Sequence, residues 1–196
     1  MVFNAVFLGL SAGIFEEGAR YLVLRWWAKD VRSWRKGVFF GAGHGGAEAI
    51  LLGAITLYAF LQLTAFKNAD RSKLFPANQL ALAQRQLQTY WSMTWYASML
   101  GALERLFTIP CQIAMAVMVI QVFVRKNIGW LFVAISYHAL LDGMAVVGQK
   151  YITPLGLEGV IGIFAILSAA IIFPFAPART PRGHNPGRTC SGCSSA

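Results

Sequence analysis

The chain has 196 residues, of which 57% are hydrophobic and only 13% are charged. A soluble domain carries about 25% charged residues, and here the apolar residues cluster in blocks of about 20, the length that crosses a bilayer core. This composition excludes an ordinary soluble fold. The net charge of +9 does not indicate nucleic-acid binding, because most Lys and Arg residues lie in short connections between apolar blocks, where they set topology and contact anionic lipids.

The apolar blocks predict an all-α, polytopic transmembrane helical bundle of about five spans within residues 1–177. The N-terminal block lacks the basic start and the cleavage site of a signal peptide, so we expect it to remain as a membrane helix. In chain order, the predicted spans are residues 2–26, 37–63, 94–124, 128–147 and 157–175.

Two segments outside the spans have distinct compositions. In the loop at residues 66–93, Pro76 can start a helix, and apolar residues then recur at helical spacing up to Tyr90. This pattern predicts a short amphipathic helix at the membrane surface. Residues 178–196 are rich in Pro, Gly, Arg and Ser, a composition that cannot bury a core and that predicts a disordered tail.

The distribution of cations predicts the orientation of the chain. Ten Lys or Arg residues lie in residues 25–36, residues 125–126 and the tail, whereas five lie on the opposite side of the predicted bundle. The positive-inside rule therefore places the N-terminus outside and the tail in the cytoplasm. We expect an integral membrane protein, in a bacterial plasma membrane, whose partner is the lipid bilayer.

Nine acidic, basic or histidine side chains lie well inside the predicted spans, away from the ends of the spans. A charged residue near the centre of a membrane helix costs about 2.5–3.5 kcal/mol, so these groups must face a shared polar interior, and they indicate a functional site. They are Glu16, Glu17, Arg20, His44, Glu48, Glu104, Arg105, His138 and Asp142.

The spacing of these residues groups them on helix faces. Glu16 and Glu17 precede Arg20 by four and three residues, so both carboxylates can reach the guanidinium. The four-residue spacing also places two further pairs on one face of their helices, His44 with Glu48 and His138 with Asp142.

The depth of these groups indicates one buried site. At a rise of 1.5 Å per residue, Glu16, His44 and His138 lie roughly 10–16 Å below the same membrane surface. Gln112 follows Glu104 by eight residues, roughly on one face of the third span. Imidazoles and carboxylates are the groups that bind a divalent metal or activate water. The residues therefore predict a buried acid–base or metal site, and they leave the reaction open.

Four sequence motifs resemble those of the YhfC family of intramembrane metalloproteases, which is itself distantly similar to the PrsW proteases and the CAAX-prenyl endopeptidases. The motifs are EEGARY at residues 16–21, GAGHGGAEAI at residues 41–50, ER at residues 104–105 and HALLD at residues 138–142. The resemblance implies a protease that hydrolyses a bond of a peptide or membrane-protein substrate.

The resemblance also implies roles for the residues of the first two motifs. Glu16 would activate the water as a base, and Glu17 and Arg20 would support it. His44 would position the water or a metal, and Glu48 would orient His44.

The remaining implied roles concern the metal and the oxyanion. His138 and Asp142 would complete the site as a ligand or as an oxyanion donor, with Glu104 nearby. A divalent metal such as zinc would be held by His44, His138 and Glu16. The family pattern has a histidine where this chain has Gln112, and glutamine is a poor metal ligand and no base.

Two other classes of function stay open from the sequence. A non-catalytic membrane scaffold, or pseudoenzyme of the same fold, would explain Gln112. A small proton-coupled transporter would also carry buried carboxylates, although such proteins are usually built from repeats, and no repeat is apparent here.

Overall fold

A computed structural model describes residues 2–67, 69–70 and 76–176, so the predicted tail at residues 178–196 lies outside the described residues. Every regular element in the described part of the chain is helical. Five helices are long and apolar enough to cross a membrane, which confirms the predicted all-α bundle of five spans. The six α-helices are α1 (Val2–Trp26), α2 (Trp34–Lys67), α3 (Ala77–Trp91), α4 (Ala97–Val124), α5 (Gly129–Tyr151) and α6 (Pro154–Ile172).

The helix ends differ from the predicted span ends by a few residues. The first span is matched by α1, whereas α2 begins before and ends after the predicted residues 37–63. Likewise, α5 continues to Tyr151 instead of ending at residue 147. Hydropathy marks the boundary of the hydrocarbon core, but the hydrogen bonds of the helix backbone continue into the polar interface. The helices therefore extend beyond the apolar stretches of the sequence.

A helix also forms within the predicted loop at residues 66–93. It follows Pro76 directly, runs from Ala77 to Trp91 and buries Leu87. The ammonium of Lys67, at the end of α2, lies 4.1 Å from the centre of the Trp91 ring. The location of α3 at the membrane surface stays a prediction.

Helix α4 is the centre of the bundle. It packs against α1, α2, α5 and α6, and α1 packs in addition along the length of α5. Nearly every residue of α4 from 111 to 122 is buried. Lipid tails are as apolar as the side chains of α4, so close packing between helices contributes more to this core than expulsion of water does.

Glycines set the distances between the paired helices. A Cβ atom on Gly41 of α2 would lie 2.6 Å from the Cα atom of Ile113 in α4, and one on Gly13 of α1 would lie 2.6 Å from the carbonyl oxygen of Ile135 in α5. Only glycine fits such approaches, because the nearest atoms belong to the opposing backbone. These contacts hold α1 against α5 and α2 against α4, and so bring the polar motifs together.

Candidate active site

A buried ion pair lies between α1, α4 and α5. The Nη1 atom of Arg20 donates to both carboxylate oxygens of Glu17, at 2.9 and 2.7 Å, and its Nη2 atom donates to Oε1 of Gln112 at 2.5 Å. The Glu17 side chain is completely buried. Because an unpaired charge is costly in such surroundings, Glu17 and Arg20 neutralise each other.

Glu17 also orients the ring of His138. The Nδ1 atom of His138 lies 2.9 Å from Oε1 of Glu17. An ionised carboxylate can only accept, so Nδ1 carries the proton; Nε2 then offers a lone pair when the ring is neutral and a second N–H when the ring is protonated. That Nε2 atom lies 3.9 Å from Glu16 and 3.6 Å from Asp142.

The carboxylate of Glu16 is more exposed than that of its neighbour Glu17 and contacts a different set of side chains. Its Oε2 atom is 3.5 Å from Nε2 of His44 and 3.4 Å from Nε2 of Gln112. The side chains of Glu16 and His44 are 38% and 37% exposed. Glu16, His44 and Glu48 each offer one ligand atom, and these three atoms lie within 4.8 Å of one another.

Glu48 is held at both of its carboxylate oxygens. Arg105 donates to Oε1 at 2.9 Å, and Gln112 donates to Oε2 at 2.9 Å. The second guanidinium nitrogen of Arg105 bonds to Glu104. The amide of Gln112 therefore links the buried Arg20 to the open carboxylates, with its oxygen toward the cation and its nitrogen toward the anions.

Glu16 and several other polar side chains of this group line a polar cavity of about 80 Å³, which is large enough for several water molecules. These contacts connect Gln112 with the nine ionisable residues predicted from the sequence, so the structure brings the whole predicted group together. The polar groups on the cavity wall are Glu16, Glu48, Glu104, Arg105, Thr108, Cys111, Gln112, His138 and Asp142.

The pairing differs from what spacing alone indicated. Of the two adjacent carboxylates, Glu17 bonds to Arg20, whereas Glu16 faces His44 and His138. Consecutive residues are about 100° apart around a helix, so they point to different neighbours. A shared helix face does not specify the partners of a side chain either. His44 and Glu48 lie on one face of α2, but their contacts are with Glu16 of α1 and Arg105 of α4.

The sequence does not specify the contacts of two further ionisable residues in the membrane helices. Arg105 was recognised as intramembrane, and its cost of burial was the available signal; its link to Glu48 came only from the structure. Glu158 is absent from the predicted group of intramembrane acids, although it is the second residue of the predicted fifth span. It is buried in α6, and its Oε2 atom has no hydrogen-bond partner among the described residues.

Comparison with known proteins confirms the resemblance seen in the motifs. The family described as YhfC intramembrane metalloprotease matches residues 1–168. The Bacillus subtilis (strain 168) protein described as "Uncharacterized membrane protein YhfC" is 33% identical over 166 residues, which cover 81% of this chain. The chain spans 63% of the length of that relative. No solved structure matches the chain. The chain is thus a membrane protein that belongs to the YhfC intramembrane metalloprotease family.

Proposed function

We propose that the protein is an intramembrane endopeptidase that hydrolyses a peptide bond of a membrane-protein substrate with a water held at Glu16. The observation that carries the proposal is the position of the Glu16 carboxylate. Its Oε2 atom lies between Nε2 of His44, at 3.5 Å, and Nε2 of His138, at 3.9 Å, on the wall of a cavity that can hold water.

In this reaction Glu16 is the general base. It takes a proton from the water, whose oxygen then bonds to the peptide carbonyl carbon. The same carboxyl group gives the proton to the amide nitrogen, and the C–N bond breaks to release a carboxylate and an amine. Glu17 and Arg20 are buried and do not line the cavity, so they do not meet the substrate. They hold the ring of His138 and the amide of Gln112 in place.

The oxyanion requires a positively charged group or a hydrogen-bond donor nearby. His138 and Arg105 are the two groups on the cavity wall that can carry positive charge. The amide of Gln112 is already bonded to Arg20, Glu48 and Glu16, whereas Arg105 has N–H groups beyond the two that bond to Glu48 and Glu104. We therefore assign the oxyanion contact to His138 or Arg105 and a positioning role to Gln112.

The donor set of the site fits a divalent metal such as zinc. Imidazole nitrogen and carboxylate oxygen are ligands of zinc, and His44, Glu16 and Glu48 offer one atom each within 4.8 Å, with Nε2 of His138 beside Glu16. Four carboxylates and a single guanidinium line the cavity, so its charge also suits a cation. When bound, the metal would supply Lewis acidity to the peptide carbonyl and the water.

The proposal extends to the location of the chain. The excess of cations in residues 25–36, residues 125–126 and residues 178–196 supports an N-terminus outside and a C-terminus in the cytoplasm. The bacterial relative, described as a membrane protein, supports a bacterial plasma membrane. In this orientation α3 lies at the outer surface.

A non-catalytic scaffold of the same fold is the second candidate. Gln112 favours it, because an amide that cannot titrate occupies the centre of the polar network. The proton-coupled transporter has no comparable observation in its favour.

Mapping of protein N-termini in bacterial cells tests the proposal. Cells that express the wild type should contain new N-termini within apolar segments of membrane proteins. Cells that express Glu16→Gln to the same level should lack them, because an amide cannot accept the proton from water. Identical sets of N-termini would overturn the protease and leave the scaffold.

A further inference from the structure

An open cleft separates one half of α2 from one half of α4. We call it the lateral cleft: its walls are residues 49–60 of α2 and residues 97–105 of α4, with Tyr90 and Met93 at one end. Its volume is about 790 Å³, far larger than the polar cavity.

The lateral cleft exists because α2 and α4 diverge. They are in close contact at Gly41 and Gly45, where an added Cβ atom would lie 2.6 Å and 3.1 Å from atoms of α4. Further along the same two helices, a Cβ atom on Gly53 or Gly101 would have no atom within 4 Å. Pro110 lies in α4 between the open and the packed halves, and proline weakens helix hydrogen bonding at the preceding turn.

Burial along the two helices changes in the same way. Most residues of α4 from 111 to 122 are buried, but none of residues 97–110 is, although the structure describes all of them. Residues 46–67 of α2, all described, contain no buried residue either. These two segments form a V whose apex is at the packed glycines.

The apex of the V meets the candidate active site. Glu104 and Arg105 belong both to the wall of the lateral cleft and to the wall of the polar cavity. Arg105 is bonded to Glu48, which lies close to Glu16 and His44. The inner end of the lateral cleft therefore adjoins the polar cavity that Glu16 lines.

We propose that the lateral cleft binds a membrane-spanning segment of the substrate and brings its backbone to Glu16. This inference rests on the proposed protease activity, for which it names the substrate class. The walls carry small residues that allow close backbone approach, namely Ala49, Gly53, Ala97, Gly101 and Ala102.

The polar groups of the cleft favour a peptide over a lipid chain. A helix must unwind to expose a peptide bond, and its freed N–H and C=O groups then need partners inside the membrane. Arg105 and Glu104 at the apex, and Thr56 and Ser98 on the walls, are groups of the required type. An acyl chain has no hydrogen-bonding groups, so it would form no hydrogen bonds with these side chains. We therefore expect the bound segment to contain helix-weakening residues such as Gly or Pro at the cleavage site.

Photo-crosslinking tests the cleft without requiring proteolysis. The Glu16→Gln protein would carry the photo-crosslinker benzoylphenylalanine in place of Gly53 and would be reconstituted in liposomes. The liposomes would also contain a biotinylated Leu/Ala peptide of about 20 residues, long enough to span the membrane, with a central Gly-Pro pair. The control position is Ile50, which is exposed on α2 but does not line the cleft. We expect a peptide adduct from position 53 and none from position 50.

A bulky side chain in the lateral cleft gives a second test, and the same substitution at a glycine outside the cleft is its matched control. Gly101→Leu should abolish the adduct, whereas Gly159→Leu should not, although a Cβ atom would meet no atom within 4 Å at either position. Equal labelling from both probe positions, or adducts only with lipid or with a second copy of the chain, would overturn the inference. If the peptide is crosslinked in the cleft but the wild type cleaves nothing, the cleft stands and the proposed protease fails. If Gly101→Leu leaves cleavage unchanged, the lateral cleft does not bind the substrate, although the protease activity is confirmed.

Discussion

Two adjacent glutamates, Glu16 and Glu17, occupy different environments although they share one helical turn. Glu17 is fully buried and bonded to Arg20 and His138, whereas Glu16 is 38% exposed and faces the cavity. The ion pair with Arg20 neutralises the buried charge of Glu17, and Glu17 in turn orients the imidazole of His138. The neighbouring carboxylate remains accessible to water, as a base must be.

Substitutions of these residues should separate stability from activity. Arg20→Ala removes three hydrogen bonds and leaves Glu17 buried without its cation. We expect a loss of about 3–5 kcal/mol, because removal of one partner strands the other charge. Glu16→Gln keeps the shape of the side chain and should cost less than about 1 kcal/mol. Thermal unfolding in detergent, together with protein accumulation, measures both. Equal destabilisation by the two changes would make Glu16 a structural residue.

Gln112 offers a second test at the residue scale. Its amide nitrogen lies 2.9 Å from Glu48 and 3.4 Å from Glu16, so Gln112→His would place an imidazole beside two of the proposed ligands. We expect the purified Gln112→His protein to retain more zinc than the wild type, and a His44→Ala control to retain less. Elemental analysis after detergent purification measures the content. Unchanged zinc in all three proteins would rule out a metal site here and leave Glu16 and His44 to activate water unaided.

At the scale of the helices, length and hydropathy were enough to predict five spans, but not which helices pair. Spacing correctly grouped His138 with Asp142 on one face of α5. It could not predict that Glu48 would bond to Arg105, 57 residues further along the chain. Periodicity reports the direction of a side chain around its own helix, whereas a partner on another helix depends on how the helices pack.

The packing of α2 on α4 depends on glycine at specific positions. In Gly41→Ala the new methyl group would lie 2.6 Å from Cα of Ile113 and would push the helices apart. We expect a loss of about 1–3 kcal/mol, typical of overpacking. Gly43→Ala is the matched control on the same helix, because no atom lies within 4 Å of its added Cβ. Melting temperatures of the two variants should differ clearly. If they were equal, the close approach at Gly41 would not support the bundle.

For the molecule as a whole, the cation count predicts the sidedness of the site. Ser33 lies in the connection between α1 and α2, and Asn78 lies at the start of α3; both are exposed. In a variant whose native cysteines are replaced by serine, an impermeant thiol reagent should modify Asn78→Cys in intact cells. Ser33→Cys should react only after permeabilisation. The opposite pattern would reverse the proposed orientation.

The central claim is that water, activated at Glu16, cleaves a peptide bond inside the membrane. The direct test uses purified protein in liposomes, in oxygen-18-labelled water, with a substrate identified by the mapping of N-termini. Mass spectrometry of the new C-terminus should show one labelled oxygen with the wild type, because the water oxygen becomes part of the product carboxylate. Glu16→Gln should give no product, while remaining folded. Equal labelled product from both proteins would contradict the role of Glu16, and no product from either would contradict the protease itself.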